Sequence, residues 1–133
     1  MKALVLLLLL GLMAPSVEAR DTMPPEKGKF VHTVFFWLKN KDSEADRQKL
    51  YEGLTKLSQI ELIETAYVGV PAATNRDVID RSYDFSITFV FPDPETQDAY
   101  QVHPDHLKFV EEYGHLWERV VVYDAIGPDL LRE

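Results

Sequence analysis

An α+β domain, with one sheet covered by two helices in the order β-α-β-β-α-β, is the fold class this sequence predicts. Three observations carry it. Four segments, 30–38, 60–70, 83–91 and 117–125, hold the β-branched and aromatic residues of strands. Leu50, Leu54 and Leu57 form a stripe at helical spacing between the first two segments. Asp93-Pro94-Glu95 opens a second helix between the last two, an N-cap followed by proline at the first helical position.

In the first strand, alternation puts His32, Val34, Phe36 and Leu38 on one face and Val31, Thr33, Phe35 and Trp37 on the other. Ser43 is the expected N-cap of the first helix, with Glu44 and Asp46 near its positive end. Segment 60–70 returns to strand chemistry and closes at Gly69 and Pro71. Segment 71–82 has mixed charge and no period, and reads as a loop long enough to border a site. In 83–91, Phe85, Ile87, Phe89 and Phe91 alternate with Asp84, Ser86, Thr88 and Val90. Pro104 interrupts the second helix, because its ring collides with the carbonyl of Tyr100. Two pieces are expected, 94–102 and 104–115, joined at His103. This order is the ferredoxin-like arrangement.

Two helices cover one face of a sheet, yet these strands carry apolar residues on both. A monomer would expose a large apolar face, which soluble monomers rarely tolerate. Pairing two sheets in a two-fold dimer buries it, so the patterning predicts a homodimer through the sheet face.

The ends of the chain are read separately. Lys2 precedes an apolar, leucine-dominated run that is too short for a stable bilayer-spanning helix. Val17-Glu18-Ala19 places small residues before a cleavage point, so residues 1–19 are expected to be a cleaved signal peptide. The protein is then exported, to a periplasm or the outside medium. Residues 20–28 read as a flexible lead-in, 29–127 as the domain and 128–133 as a tail. The 133 residues contain no cysteine, which removes disulfides, thiol catalysis and thiolate metal sites. A net charge of −8 argues against nucleic acid and anionic membrane surfaces as partners.

The stretch from Ala99 to His106 concentrates the chemistry. Tyr100, His103 and His106 fall at steps of three, and a helix brings such residues to roughly one side. Tyrosine and histidine are common proton-transfer groups near neutral pH. A phenol within hydrogen-bond reach would orient the His106 imidazole and stabilise an oxyanion, with His106 as general base. The structural alternative is that the phrase only shapes the bend, with both histidines hydrogen-bonded to it. His103, directly before the proline, fits that role best. His32 reads either as a satisfied core histidine or as a cavity residue. Pro104 disturbs the geometry of a site on His103, Asp105 and His106, and no further ligand of the right sort stands nearby, so no metal site is expected. With no Gly-rich phosphate loop, no cofactor is expected either.

The phrase Ala99-Tyr100-Gln101-Val102-His103-Pro104-Asp105-His106 resembles the stress-responsive A/B barrel (Dabb) family, as do Val31-His32-Thr33-Val34-Phe35, Tyr83-Asp84, Trp117 and Tyr123-Asp124. The resemblance covers about 29–125 and implies a dimeric α+β barrel with a cavity between sheet and helices. Most such members have no assigned activity, and several are linked only to stress responses. The family includes the plant olivetolic acid cyclase, a cofactor-free enzyme whose catalytic tyrosine and histidine would fall on Tyr100 and His106. Its first-strand histidine matches His32. A third-strand histidine of the cyclase is replaced by Phe85 here, which implies a more apolar cavity. Three functions follow as expectations. The first is a pocket for a small apolar or aromatic molecule, with His32, His103 and Phe85 as ligand contacts. The second is a cofactor-independent cyclase, isomerase or lyase using His106 and Tyr100. The third is a structural stress-response protein.

Overall fold

The computed structural model describes residues 28–128; the expected leader and most of the lead-in and tail lie outside the described residues. The elements are β1 (Phe30–Leu38), α1 (Glu44–Leu57), β2 (Thr65–Gly69), β3 (Phe85–Phe91), α2 (Pro94–Gln101), α3 (Pro104–Tyr113) and β4 (Trp117–Ile126). A turn of 3-10 helix, Gly114–Leu116, joins α3 to β4. The four strands form one antiparallel sheet in the order β2-β3-β1-β4, so the two central strands are β1 and β3. This is the ferredoxin-like arrangement expected from the order of elements.

Local chemistry explains most boundaries. Ser43 Oγ accepts the Asp46 N–H at 3.1 Å and starts α1, whose Leu50, Leu54 and Leu57 are buried. Asp93 Oδ1 accepts the Thr96 N–H at 2.7 Å and starts α2. In β3 burial alternates without exception: Phe85, Ile87, Phe89 and Phe91 point into the core and the residues between them outward. The inward side of β1 (Val34, Phe36, Leu38) meets them beneath the helices. Asp84 ties the layers together, accepting from the Leu38 N–H and from Arg47 of α1, both at 2.8 Å.

Segment 60–70 is a strand only in its second half. The Ile60 N–H bonds to Leu57 O at 3.3 Å and the Ile63 N–H to Ile60 O at 3.0 Å, so the chain makes two successive turns, 57–60 and 60–63, before the Glu64 N–H meets Val90 O at 2.8 Å. Ile60 is buried, and Leu62 and Ile63 pack against the core. Their apolar character reflects closure of the core beyond the C-terminus of α1, not the two-residue period of a strand. The second helix breaks where Pro104 demands, although α2 and α3 are slightly shorter than expected.

The helices cover one face of the sheet incompletely. Register pairs Val34 with Val122 and Phe36 with Val120, so these two valines of β4 look toward the helix side. They nevertheless remain 47% and 44% exposed, because the helices do not reach across this edge strand. On the opposite face, Phe35 packs edge-on to Tyr83 and Tyr123, and Tyr123 is largely exposed.

Gly53 sets how closely α1 and α3 approach. A methyl group placed there would lie 2.8 Å from the ring of buried Tyr113. Alanine in a helix gains about 1 kcal/mol over glycine, whereas overpacking costs about 1–3 kcal/mol. Packing decides the sign, so Gly53→Ala is expected to lower stability in chemical denaturation. An increase would mean that Tyr113 moves aside freely.

Candidate functional site

Proline builds this site by subtraction. Pro104 has no N–H for the Tyr100 carbonyl, and its ring collides with that carbonyl in a continuous helix, so α2 ends at Gln101. The Asp105 N–H that a continuous helix would turn to the Gln101 carbonyl goes to His103 Nδ1 instead. His106, in the first turn of α3, turns back and its Nδ1 meets the Gln101 carbonyl oxygen at 3.0 Å. A carbonyl only accepts, so Nδ1 carries the proton and, in the neutral ring, Nε2 holds the lone pair. The orienting partner of His106 is thus a backbone carbonyl and not the expected phenol. Tyr100 instead lies against the imidazole in ring contact, with centroids 4.7 Å apart.

Tyr100 and His106 lie in the wall of a cavity of about 290 Å³ between the sheet and the helices. The rest of its wall is mostly apolar, drawn from β1, α1, β3, α3 and β4 and including Phe36, Leu57, Ile87 and Phe109. Val110, Val120 and Val122 belong to that wall and are also between 44% and 47% exposed, so the mouth lies between α3 and β4. Tyr100 is 1% exposed and marks the deep end. Its hydroxyl makes no hydrogen bond to another described residue, and no fully buried side-chain polar atom among the described residues lacks a partner. The hydroxyl therefore keeps some accessible surface, and Tyr100 lines the cavity.

Burial dominates the titration of both groups. It raises the Tyr100 phenol above its ordinary range, so the hydroxyl stays protonated and can donate. It also holds the His106 imidazole below its ordinary 6.5; the bond to Gln101 opposes this, and His32 and His103 add to the lowering. The result is a neutral imidazole beside a protonated phenol. Such a pair can accept a proton at Nε2 and donate a hydrogen bond to a developing oxyanion.

The other three candidates lie elsewhere. His103 is the N-cap of α3: its Nδ1 accepts the Asp105 N–H at 3.2 Å, which leaves Nε2–H to face Glu61 Oε1 at 3.3 Å. This matches the structural alternative for His103 and keeps it out of the cavity wall. His32 is buried behind Tyr100, with ring centroids 5.9 Å apart, and its Nδ1 bonds Asp124 Oδ1 at 2.6 Å. Phe85 packs against Tyr51 and Arg47 on the α1 side of the core, away from the cavity. Among the described residues there is no group of three or more metal-ligating side chains.

Trp117 is the wall residue that the alternation hides. The register shifts between Trp37 and Leu38, which pair with Arg119 and Trp117, so Glu118 is an extra residue in β4. Uninterrupted alternation would put Trp117 on the outer face with Arg119 and Val121. The bulge turns it inward, against Phe36 and Phe109 and into the cavity wall.

The fold and site define a class of protein: a single ferredoxin-like α+β layer pair with an apolar cavity that carries one phenol and one imidazole. Residues 30–126 match the family model described as the Stress responsive A/B Barrel Domain, and the chain belongs to this Dabb family. Solved structures agree on the fold. A Dabb family protein with a ferredoxin-like fold from Mesorhizobium loti is 24% identical, with a TM-score of 0.62 over 75% of this chain and 97% of that one. A dimeric ferredoxin-like protein of unknown function from Thermobifida fusca is 20% identical, with a TM-score of 0.60 over 76% and 92%. The hydroxynitrile lyase of Passiflora edulis is 20% identical, with a TM-score of 0.63 over 82% and 100%. No curated protein matches the chain.

The unfolded chain binds more protons than the folded one between the ordinary imidazole value and the lowered one of His106. The stability contributed by the neutral ring is complete above pH 6.5 and is lost as the pH falls through the folded value. An NMR titration should place the His106 midpoint below 6.5, and His106→Gln should flatten the fall in stability over that interval. A midpoint above 6.5 would contradict the burial argument.

Proposed function

We propose that the protein binds a small apolar or aromatic molecule in the cavity between sheet and helices. The composition of the wall carries this reading. Of eleven wall residues, only Tyr100, His106 and Trp117 have polar side-chain atoms, and the first two stand side by side. A mostly apolar cavity with a few convergent polar groups is the usual form of a small-molecule site. Crystals soaked with small aromatic alcohols and ketones should show density against Tyr100 and His106; a cavity that stays closed and empty of ligand would refute the reading.

A second reading rests on the fixed tautomer of His106. Its Nε2 lone pair and the Tyr100 hydroxyl suit a cofactor-independent cyclase, isomerase or lyase, with His106 as general base and Tyr100 as oxyanion donor. The lyase of the same fold from Passiflora edulis supports catalysis as a use of this architecture. For a substrate that is turned over, His106→Gln should cost about 10²–10⁴-fold in kcat while leaving the melting temperature nearly unchanged. A parallel loss of stability would make His106 structural.

Assembly and export belong to the same proposal. The outer sheet face around Phe35, Tyr83 and Tyr123 is suited to a second copy of the chain, and the similar proteins described as dimeric support this. The leader 1–19 would be removed on export to a periplasm or the outside medium, leaving no membrane attachment. Light scattering of the protein exported by its host should give twice the mass of a chain starting at Arg20. A monomeric mass would overturn the dimer, and a retained leader the export.

A further inference from the structure

We infer that the ligand is an uncharged molecule with a hydroxyl at one end, held hydroxyl-inward with its apolar part toward the mouth between α3 and β4. This rests on the proposed binding function and names the chemical class the cavity accepts. The two polar groups that stand side by side in the wall, Tyr100 at its buried end and His106 next to it, are complementary. His106 Nε2 can only accept a hydrogen bond, because Nδ1–H is committed to the Gln101 carbonyl. Tyr100 is held in its protonated form and can donate. A ligand hydroxyl satisfies both, donating to Nε2 and accepting from the phenol. A ketone satisfies only Tyr100, and a hydrocarbon satisfies neither.

Charge is excluded by the same wall. None of its eleven residues is Lys, Arg, Asp or Glu, so a carboxylate or an ammonium would lose its hydration without gaining a counter-charge. Orientation follows from exposure: Tyr100 lies at the closed end, and half-exposed Val110, Val120 and Val122 form the rim. A volume of about 290 Å³ suits a ring with a short alkyl substituent.

Calorimetry at pH 7.5 with 4-ethylphenol, ethylbenzene and 4-ethylbenzoate tests the inference on the purified protein. Two hydrogen bonds of ordinary net strength predict that 4-ethylphenol binds about tenfold more tightly than ethylbenzene. The benzoate should bind more weakly than either. Tyr100→Phe removes a hydroxyl with no partner among the described residues, so the fold should persist while the advantage of the phenol shrinks several-fold. Ethylbenzene or the benzoate matching the phenol would overturn the hydroxyl assignment and leave the cavity reading intact. So would a Tyr100→Phe variant with the full advantage. Failure of all three probes to bind at millimolar concentration would overturn the cavity reading itself.

Discussion

A missing hydrogen shapes this protein's cavity. Pro104 cannot donate to the Tyr100 carbonyl, so one helix becomes two; the Asp105 N–H turns to the capping His103, and the Gln101 carbonyl is left without a helical partner. His106 supplies a hydrogen bond at 3.0 Å, and that bond fixes both the ring's direction and its tautomer. His103 secures the other side of the break by capping α3. A continuous helix through this region would leave Gln101 with a backbone partner and His106 with no reason to turn back. The electrostatic character of the cavity thus begins as a repair of backbone hydrogen bonding.

The sheet provides what the helices do not. β1 and β3 form the floor, and their alternation keeps aromatic and branched side chains packed beneath α1 and α3. The uncovered edge, β4, is where the cavity meets solvent. One fold therefore has two apolar regions with different geometry: a broad outer sheet face and a narrow inner cleft. The first is the face proposed for a second copy of the chain, and the second is concave and apolar with a few polar atoms in its wall.

Much of this was legible in the sequence, for identifiable reasons. Strict alternation from Phe85 to Phe91, the leucine stripe of α1 and the proline at 104 each act locally, so their consequences are visible in a few residues. Helical spacing pointed to Tyr100 and His106 as a pair, but their contact comes from the break between α2 and α3 and not from a continuous helix. What escaped notice depends on partners that sequence spacing does not reveal. The Gln101 carbonyl has no residue-type signature, and His32 meets Asp124 across a separation of 92 residues through strand register. Phe85 has the right parity for the inner face but lies beside α1, a lateral position that alternation does not encode. The bulge at Glu118 reverses the parity of Trp117, and no turn residue announces it.

The half-exposed valines at the rim separate two demands that many proteins place on the same side chains. Tyr100 and His106 are anchored in the break between α2 and α3, where replacements that give up the bond to Gln101 or the buried ring disturb backbone satisfaction and packing. Val110, Val120 and Val122 contact the cavity but contribute little to the sealed core, since nearly half of each is already in water. Bulk can be added or removed there at small cost to folding. If the cavity binds a small molecule as proposed, these rim positions let its selectivity drift over generations while the anchored Tyr100–His106 pair stays fixed.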